Sequence, residues 1–310
     1  MAAAFDLLVL GDAKPDLIVD GADEIAFGPG ERLVDRGLLT LGGSGAIAAC
    51  GGARLGLRVA FAGAVGDDEF GAFVASALAT HGVDTAGLRV DPGHPTGVSV
   101  VIKRGDDEAV LTSVGTVASF RGDDVDPSML RSVRHVHASS YFLQDGLRPS
   151  LPRLFDEAHA AGASTSIDPN RDPTGDWDHG LLDLTSSTDV LFANSAEVRE
   201  ITGVDDVDIA AEALAERGAV VAVKFLQGGG LAVWGDEMIR SEAIPTTVVD
   251  TTGAGASFAS GFIAGRLEGW SLDRCLALAI SCASLSLRAL GGTAAQPSMD
   301  EALAALEATA

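Results

Sequence analysis

Along most of the chain, short β-rich apolar runs alternate with longer Ala- and Leu-rich stretches of helical period. That alternation predicts strand–helix–strand units on a parallel sheet, with strands apolar on both faces because helices cover both. Strands are expected at 7–10, 59–64, 135–138, 164–167, 190–193 and 220–225. Helices are expected at 44–55, 70–81, 149–161, 196–202, 209–217, 256–267 and 272–290. Gly56, Gly82, Gly162, Gly203, Gly218 and Gly291 stand where a chain leaves a helix through positive φ.

Two stretches, 12–40 and 95–118, break the alternation and hold only short strand-like pieces. One of these, 97–103, is apolar toward both faces at Val98, Val100, Val101 and Ile102. A small antiparallel sheet projecting as a lid accounts for both stretches. If one face shields a ligand, the other is apolar and wants a partner, so a homodimer through the lid is expected. No repeat or linker divides the chain, and 1–310 reads as a single domain with that lid.

Composition narrows the function. With 47% hydrophobic and 21% charged residues the chain is globular rather than disordered. Lys+Arg number 21 against 44 Asp+Glu, a formal charge of -23, which repels nucleic acid and anionic lipid. Neither partner is expected, and a small anion would need a locally electropositive site. Lysine occurs only at positions 14, 103 and 224, so a phosphate site should lean on backbone amides and arginine. Cys50, Cys275 and Cys282 lack metal-site spacing and lie in apolar helical runs, as buried thiols of a reducing compartment do. The first residues show neither a basic leader nor a membrane-length run, and a cytoplasmic location is expected.

The stretch with the most chemical content is Asp250-Thr251-Thr252-Gly253-Ala254-Gly255-Ala256-Ser257-Phe258, which opens a long helix. Gly253, Ala254 and Gly255 would present unpaired amides and the positive end of the helix at one point, an anion hole suited to a phosphoryl group. Elsewhere, Asp12 and Asp16 follow the first strand, where a carboxylate can accept two hydrogen bonds from a polar ligand; a solvated turn is the alternative. Gly42 and Gly43 either let a ligand lie close to the backbone or simply start a helix. Asn194 and Glu197 can face one crevice or serve as an ordinary helix cap. His135 and His137 alternate along a strand without a third ligand, which argues against a metal.

These residues resemble the ribokinase/PfkB family of sugar and nucleoside kinases, whose signature reads Asp-Thr-Thr-Gly-Ala-Gly-Asp-x-Phe. Gly42-Gly43, Val65-Gly66-Asp67-Asp68-Glu69-Phe70-Gly71, Gly82-Val83-Asp84, Pro95-Thr96-Gly97 and Asn194-Ser195-Ala196-Glu197 match further family motifs in order. The resemblance implies a ribokinase-like α/β fold, a mostly parallel sheet flanked by helices with a small β lid. It implies ATP-dependent phosphorylation of a monosaccharide hydroxymethyl group, as in ribokinases and fructokinases, with nucleoside phosphorylation as the alternative. A nucleoside needs an apolar or aromatic pocket, and the lid offers little beyond Phe27 and Phe120.

By the same resemblance, Asp16, Asp12, Gly42, Gly43, Asn170 and Arg171 would contact substrate. Asn194, Lys224, Gly229 and Cys282 would line the nucleotide site, and Glu197 would organise Mg2+ through water. Asp250 and Thr252 would hold a monovalent cation such as K+. The family's proton-accepting aspartate is replaced by Ala256, a methyl group, which should leave the chain a poor kinase or a non-catalytic binder. Because the other motifs persist, a deliberate replacement in an active kinase is favoured over a drifting pseudokinase. Ile47 stands where the family often places a sugar-binding Asn.

Overall fold

The chain opens with strands β1 (Phe5–Leu10), β2 (Lys14–Asp20) and β3 (Arg36–Gly42), then β4 (Val59–Gly66) and β5 (Asp84–Asp91). A hairpin of β6 (Val98–Arg104) and β7 (Asp107–Ser113) precedes β8 (Val133–Ser139), β9 (Ser164–Asp168), β10 (Val190–Asn194) and β11 (Val220–Lys224). The last two are β12 (Gly230–Trp234) and β13 (Glu237–Ser241). The computed structural model describes residues 3–21, 28, 30–104 and 107–308. Phe27 lies outside the described residues.

Nine strands form one sheet in the order β13-β12-β11-β10-β9-β8-β1-β4-β5. Seven of them are parallel, and the β12–β13 hairpin adds two antiparallel strands at one edge. Alternate residues of β1 feed separate cores. Leu8 and Leu10 join one cluster, with helix Leu151–Ala160; Leu7 and Val9 join another, with helices Ser44–Arg54, Ala254–Leu267 and Leu272–Ser286. Burial on both faces explains the unbroken apolar runs of the sequence. Chain progression reverses between β1 and β8, so a crevice opens outside their carboxyl ends, where α/β sheets bind ligands.

The second sheet has the order β3-β2-β6-β7 and corrects the expectation of an antiparallel one. β2 and β6 run parallel, because they continue shortly after β1 and β5, two parallel strands of the main sheet, and a long crossover joins them. Directly opposed residues share a face. One face carries Thr40, Asp16, Ser99 and Thr112 in a row, with Lys103 further along. The other carries Leu39, Leu17, Val100 and Leu111, of which Leu17, Leu39 and Leu111 are 38%, 41% and 62% exposed.

On β8, His135 and His137 are buried among serines rather than ligating anything. The Ser164 hydroxyl lies 2.7 Å from His135 Nδ1, and the Ser166 hydroxyl lies 2.7 Å from His135 Nε2 and 2.8 Å from His137 Nδ1. Burial pushes both imidazoles down from 6.5 to about 3, so they are neutral in the fold. Among the described residues, no helix is long and apolar enough to cross a membrane.

Candidate active site

Helix Ala254–Leu267 begins at Gly253, whose φ of 78° is left-handed. A Cβ there would lie 2.7 Å from Gly292 Cα and 3.0 Å from Ile47 Cγ2, so only glycine makes this turn. Ile47 is therefore a wedge under the turn, not a polar contact. The Ala254 amide turns back to the Thr251 carbonyl at 3.3 Å. The opening amides of Gly255 and Ala256 have no preceding helical carbonyl and no capping side chain. Of the amides in the 253–255 reading, that of Ala254 is therefore turned inward, and the open run extends to Ala256. The Ala256 methyl is buried in a small apolar cluster with Ile47 and Ala48.

A cavity of about 180 Å3 faces this helix end, lined by Ser44, Asp168, Asn170, Asn194, Glu197, Lys224 and the 253–256 turn. Asn194 and Glu197 form a reciprocal cap. Asn194 Oδ1 accepts from the amides of Ala196 (2.8 Å) and Glu197 (3.0 Å), and Glu197 Oε2 accepts from the Asn194 amide (2.8 Å). The cap and site readings of this pair are compatible, since Glu197 is also buried against the cavity. Burial raises both the Asp168 and Glu197 carboxyls, Asp168 further through the charge of Glu197, while burial lowers the Lys224 amine beside them. Two crowded carboxylates with a raised affinity for positive charge suit a Mg2+ ion that keeps most of its ligands from phosphate and water. Among the described residues, no group of three or more His, Cys, Asp or Glu side chains could hold a metal by itself. Arg171 is exposed; its charge reaches Glu197, but it does not line the cavity.

A second, apolar cavity of about 180 Å3 continues from the first past Lys224, Thr251, Ala254 and Phe258. Phe225, Gly229, Ile280, Ala283, Ser284 and Leu287 complete its walls, a slot fit for a flat heterocycle beside the anion hole. Cys282 is not part of it. One helical face presents 280, 283, 284 and 287, and Cys282 points away into a cluster with Leu55, Leu278 and Ala302.

On the other side of the crevice, Asp12 is buried and takes three donors. Its carboxylate takes the Lys14 ammonium at 2.5 Å, the Gly45 amide at 3.0 Å and the Ser140 hydroxyl at 2.8 Å. These three donors order the crevice and leave Asp12 a single acceptor site, on Oδ2. Asp16 takes one side-chain donor, Ser99. Burial and then Asp12 raise it to about 6, with Lys14 offsetting part of the rise. The glycine pair makes room for these acids. A Cβ on Gly42 would lie 2.0 Å from Asp16 Cγ, and one on Gly43, whose φ is 87°, 2.7 Å from the Asp12 carbonyl oxygen.

Ser140 and Asn170, both left-handed at φ 55° and 54°, link the two halves. The Ser140 hydroxyl is 2.9 Å from Asn170 Oδ1, and Asn170 Nδ2 donates to Asp168 at 2.6 Å. Lys14, Ser44, Lys103 and Ser140 were not chosen from the sequence. Rarity was the available signal for the lysines, since an acidic chain that keeps three of them uses them locally.

Asp250 is buried, and four donors reach it. Oδ1 takes the Lys103 ammonium (2.6 Å), the Thr252 amide (3.1 Å) and the Thr252 hydroxyl (2.9 Å), while Oδ2 takes the Gly291 amide (2.8 Å). These residues do not fit a bound monovalent cation.

The shared pattern described as pfkB family carbohydrate kinase matches residues 5–299. A 2-dehydro-3-deoxygluconokinase of Thermoproteus tenax is 32% identical over 263 residues, 82% of this chain and 81% of that enzyme. An ATP-dependent ribose-1-phosphate kinase of Halopiger xanaduensis is 30% identical, covering 92% of each. Among solved structures, an Arabidopsis thaliana ribokinase complexed with ribose and ATP superposes with a TM-score of 0.83 at 26% identity, over 99% of both chains.

Proposed function

The chain belongs to the pfkB family of carbohydrate kinases, and from that premise we propose that it binds ATP and Mg2+ and phosphorylates a hydroxymethyl group of a monosaccharide. The single observation that carries this reading is the continuity of the apolar slot, the helix-end amides and the carboxylate-lined cavity along one crevice. Phosphoryl transfer depends mainly on positioning and charge stabilisation, and those parts are in place. Bound MgATP supplies the phosphoryl group and neutralises its charge. Asp168 and Glu197 would hold the Mg2+ with its waters, Lys224 would lie along the phosphates, and the Gly255 and Ala256 amides would receive the charge of the transferring group. Asp16, with acceptor sites left beside its bond from Ser99, would accept sugar hydroxyls. The small sheet would close over them and exclude water.

Turnover in this chain is slow on this reading, because the Ala256 methyl offers no proton acceptor beside the anion hole. The same residue favours a second reading, a binding protein that holds sugar and nucleotide without transferring phosphate. Ligand choice is tested by thermal melts with monosaccharides and nucleosides in the presence of MgATP. A saturating sugar at ~100 Kd should add about 2.7 kcal/mol and raise Tm by several degrees. A shift with nucleosides alone would reject the monosaccharide assignment.

The exposed row Leu39, Leu17, Val100 and Leu111 supports a second copy as the partner of the small sheet, its apolar face meeting the same face of another chain. Sedimentation velocity should then give a dimer, and Leu111→Arg should give a monomer that still binds MgATP. A monomeric parent at high concentration would remove this proposal.

A further inference from the structure

Lys103 belongs to the small sheet, yet its ammonium contacts a residue of the main body. It sits 2.6 Å from Asp250 Oδ1, and its side chain is only 11% exposed. Asp250 in turn ties the start of the anion-hole turn, through the Thr252 amide and hydroxyl, to the neighbouring loop, through the Gly291 amide. Gly292 packs directly against Gly253. Burial alone would raise the Asp250 carboxyl, but the Lys103 bond, with Gly291 and Thr252, holds it below the usual range. Other acids surround the pair: Glu108 Oε2 lies 3.6 Å from the Lys103 ammonium, and the charge of Asp250 is felt at Asp16. A buried carboxylate here needs one positive charge, and this chain supplies it covalently.

We propose that Lys103 is a tethered cation in the place where a monovalent metal ion would otherwise neutralise Asp250. Nucleotide binding by this chain is therefore independent of K+, and it depends instead on the small sheet being docked. Lys103 is a positioning residue: it touches neither substrate nor nucleotide and acts through Asp250 on the 251–256 turn. When the small sheet swings away, the ammonium leaves with it and the turn loses its counter-charge. The order of the anion hole and the closure of the sheet are thereby one equilibrium. This inference rests on the kinase reading only in taking MgATP as the ligand of the turn.

The test is calorimetric titration with MgATP in potassium chloride and in tetramethylammonium chloride of equal ionic strength, the latter cation being too large to enter the site. The parent should bind equally in the two salts, within about 2-fold, since screening is the same. Lys103→Ala leaves a buried carboxylate unpaired and opens space, so its affinity should fall about 10-fold or more in tetramethylammonium and recover in potassium or ammonium. Lys103→Met fills the space without charge and should be weak in every salt. Melting curves confirm that each variant is folded. A parent that binds MgATP only with potassium overturns the inference and leaves the kinase reading intact. So does a Lys103→Ala protein that matches the parent in tetramethylammonium, or one equally weak in both salts. A parent that binds no MgATP in either salt brings down the kinase reading, and the inference with it.

Discussion

Replacing Ala256 by aspartate is expected to raise the rate of ATP-dependent phosphoryl transfer to a sugar by about 10²–10⁴, the usual contribution of a positioned general base. The site is ready for the change. Residue 256 lies in the first turn of helix Ala254–Leu267, where the helix dipole favours a carboxylate. Its neighbours Ile47 and Ala48 are apolar, so the new group would turn toward the polar cavity lined by Ser44, Asp168 and Asn170. Because the base acts in the chemical step, kcat should rise while the affinities for sugar and MgATP stay near those of the parent. The measurement is initial rate against sugar with a coupled assay for ADP, run on both proteins. A restored protein that binds both ligands and turns over no faster than the parent would establish the binding-protein reading.

Acid should unfold the protein through β8. His135 and His137 are neutral in the fold at pH values where free histidine is charged, with native values of about 3 against 6.5. Unfolding takes up a proton at each below 6.5, so their contribution is complete above that pH and is lost as pH falls toward 3. The loss is about 1.4 kcal/mol per pH unit for each, so roughly 5 kcal/mol for the two at pH 4.5. Asp16 works the other way between about 6 and 3.8, because the fold holds its proton more tightly than the unfolded chain. A variant isolates the histidine effect. In urea melts, the stability gap between the parent and His137→Gln should shift by about 1.4 kcal/mol per pH unit from 6.5 to 4.5, in favour of the variant at low pH. A gap that does not vary with pH would show that His137 is not buried in its neutral form.

The parallel sheet was legible because burial on both faces writes itself into the sequence as unbroken apolar runs, and the capping glycines marked where helices stop. Gly56, Gly82, Gly162, Gly203 and Gly218 all have positive φ. The helix expected to reach Leu290 stops at Ser286 instead, because the amides of Val249 and Asp250 capture the Leu287 carbonyl. That partner lies far away along the chain and leaves no local trace. β5 escaped notice as a polar edge strand, and so did the β12–β13 hairpin, although Gly235-Asp236 between the two runs was a readable turn. Helix Met299–Glu307 was also missed, despite the Ser298–Glu301 capping box that announces it.

Within the site, the glycine turn into helix Ala254–Leu267 could be read, although which amides it leaves open could not. Nor could residues whose role depends on who stands opposite. Nothing near Asp12 in the sequence announces that Lys14, Gly45 and Ser140 take most of its acceptor sites, and Asp250 looked like a cation ligand until Lys103 was seen across from it. Cys282 has the right composition for a pocket wall and the wrong side of its helix.

All three lysines lie along one crevice: Lys14 against Asp12, Lys103 against Asp250, and Lys224 between the two cavities. The exterior therefore carries its positive charge on arginine and displays no lysine amine. Lys14 and Lys103 are held in buried ion pairs, so an acylating reagent is left with Lys224 at the junction of the two cavities, and the extent of acylation there reads out whether the crevice is open or filled.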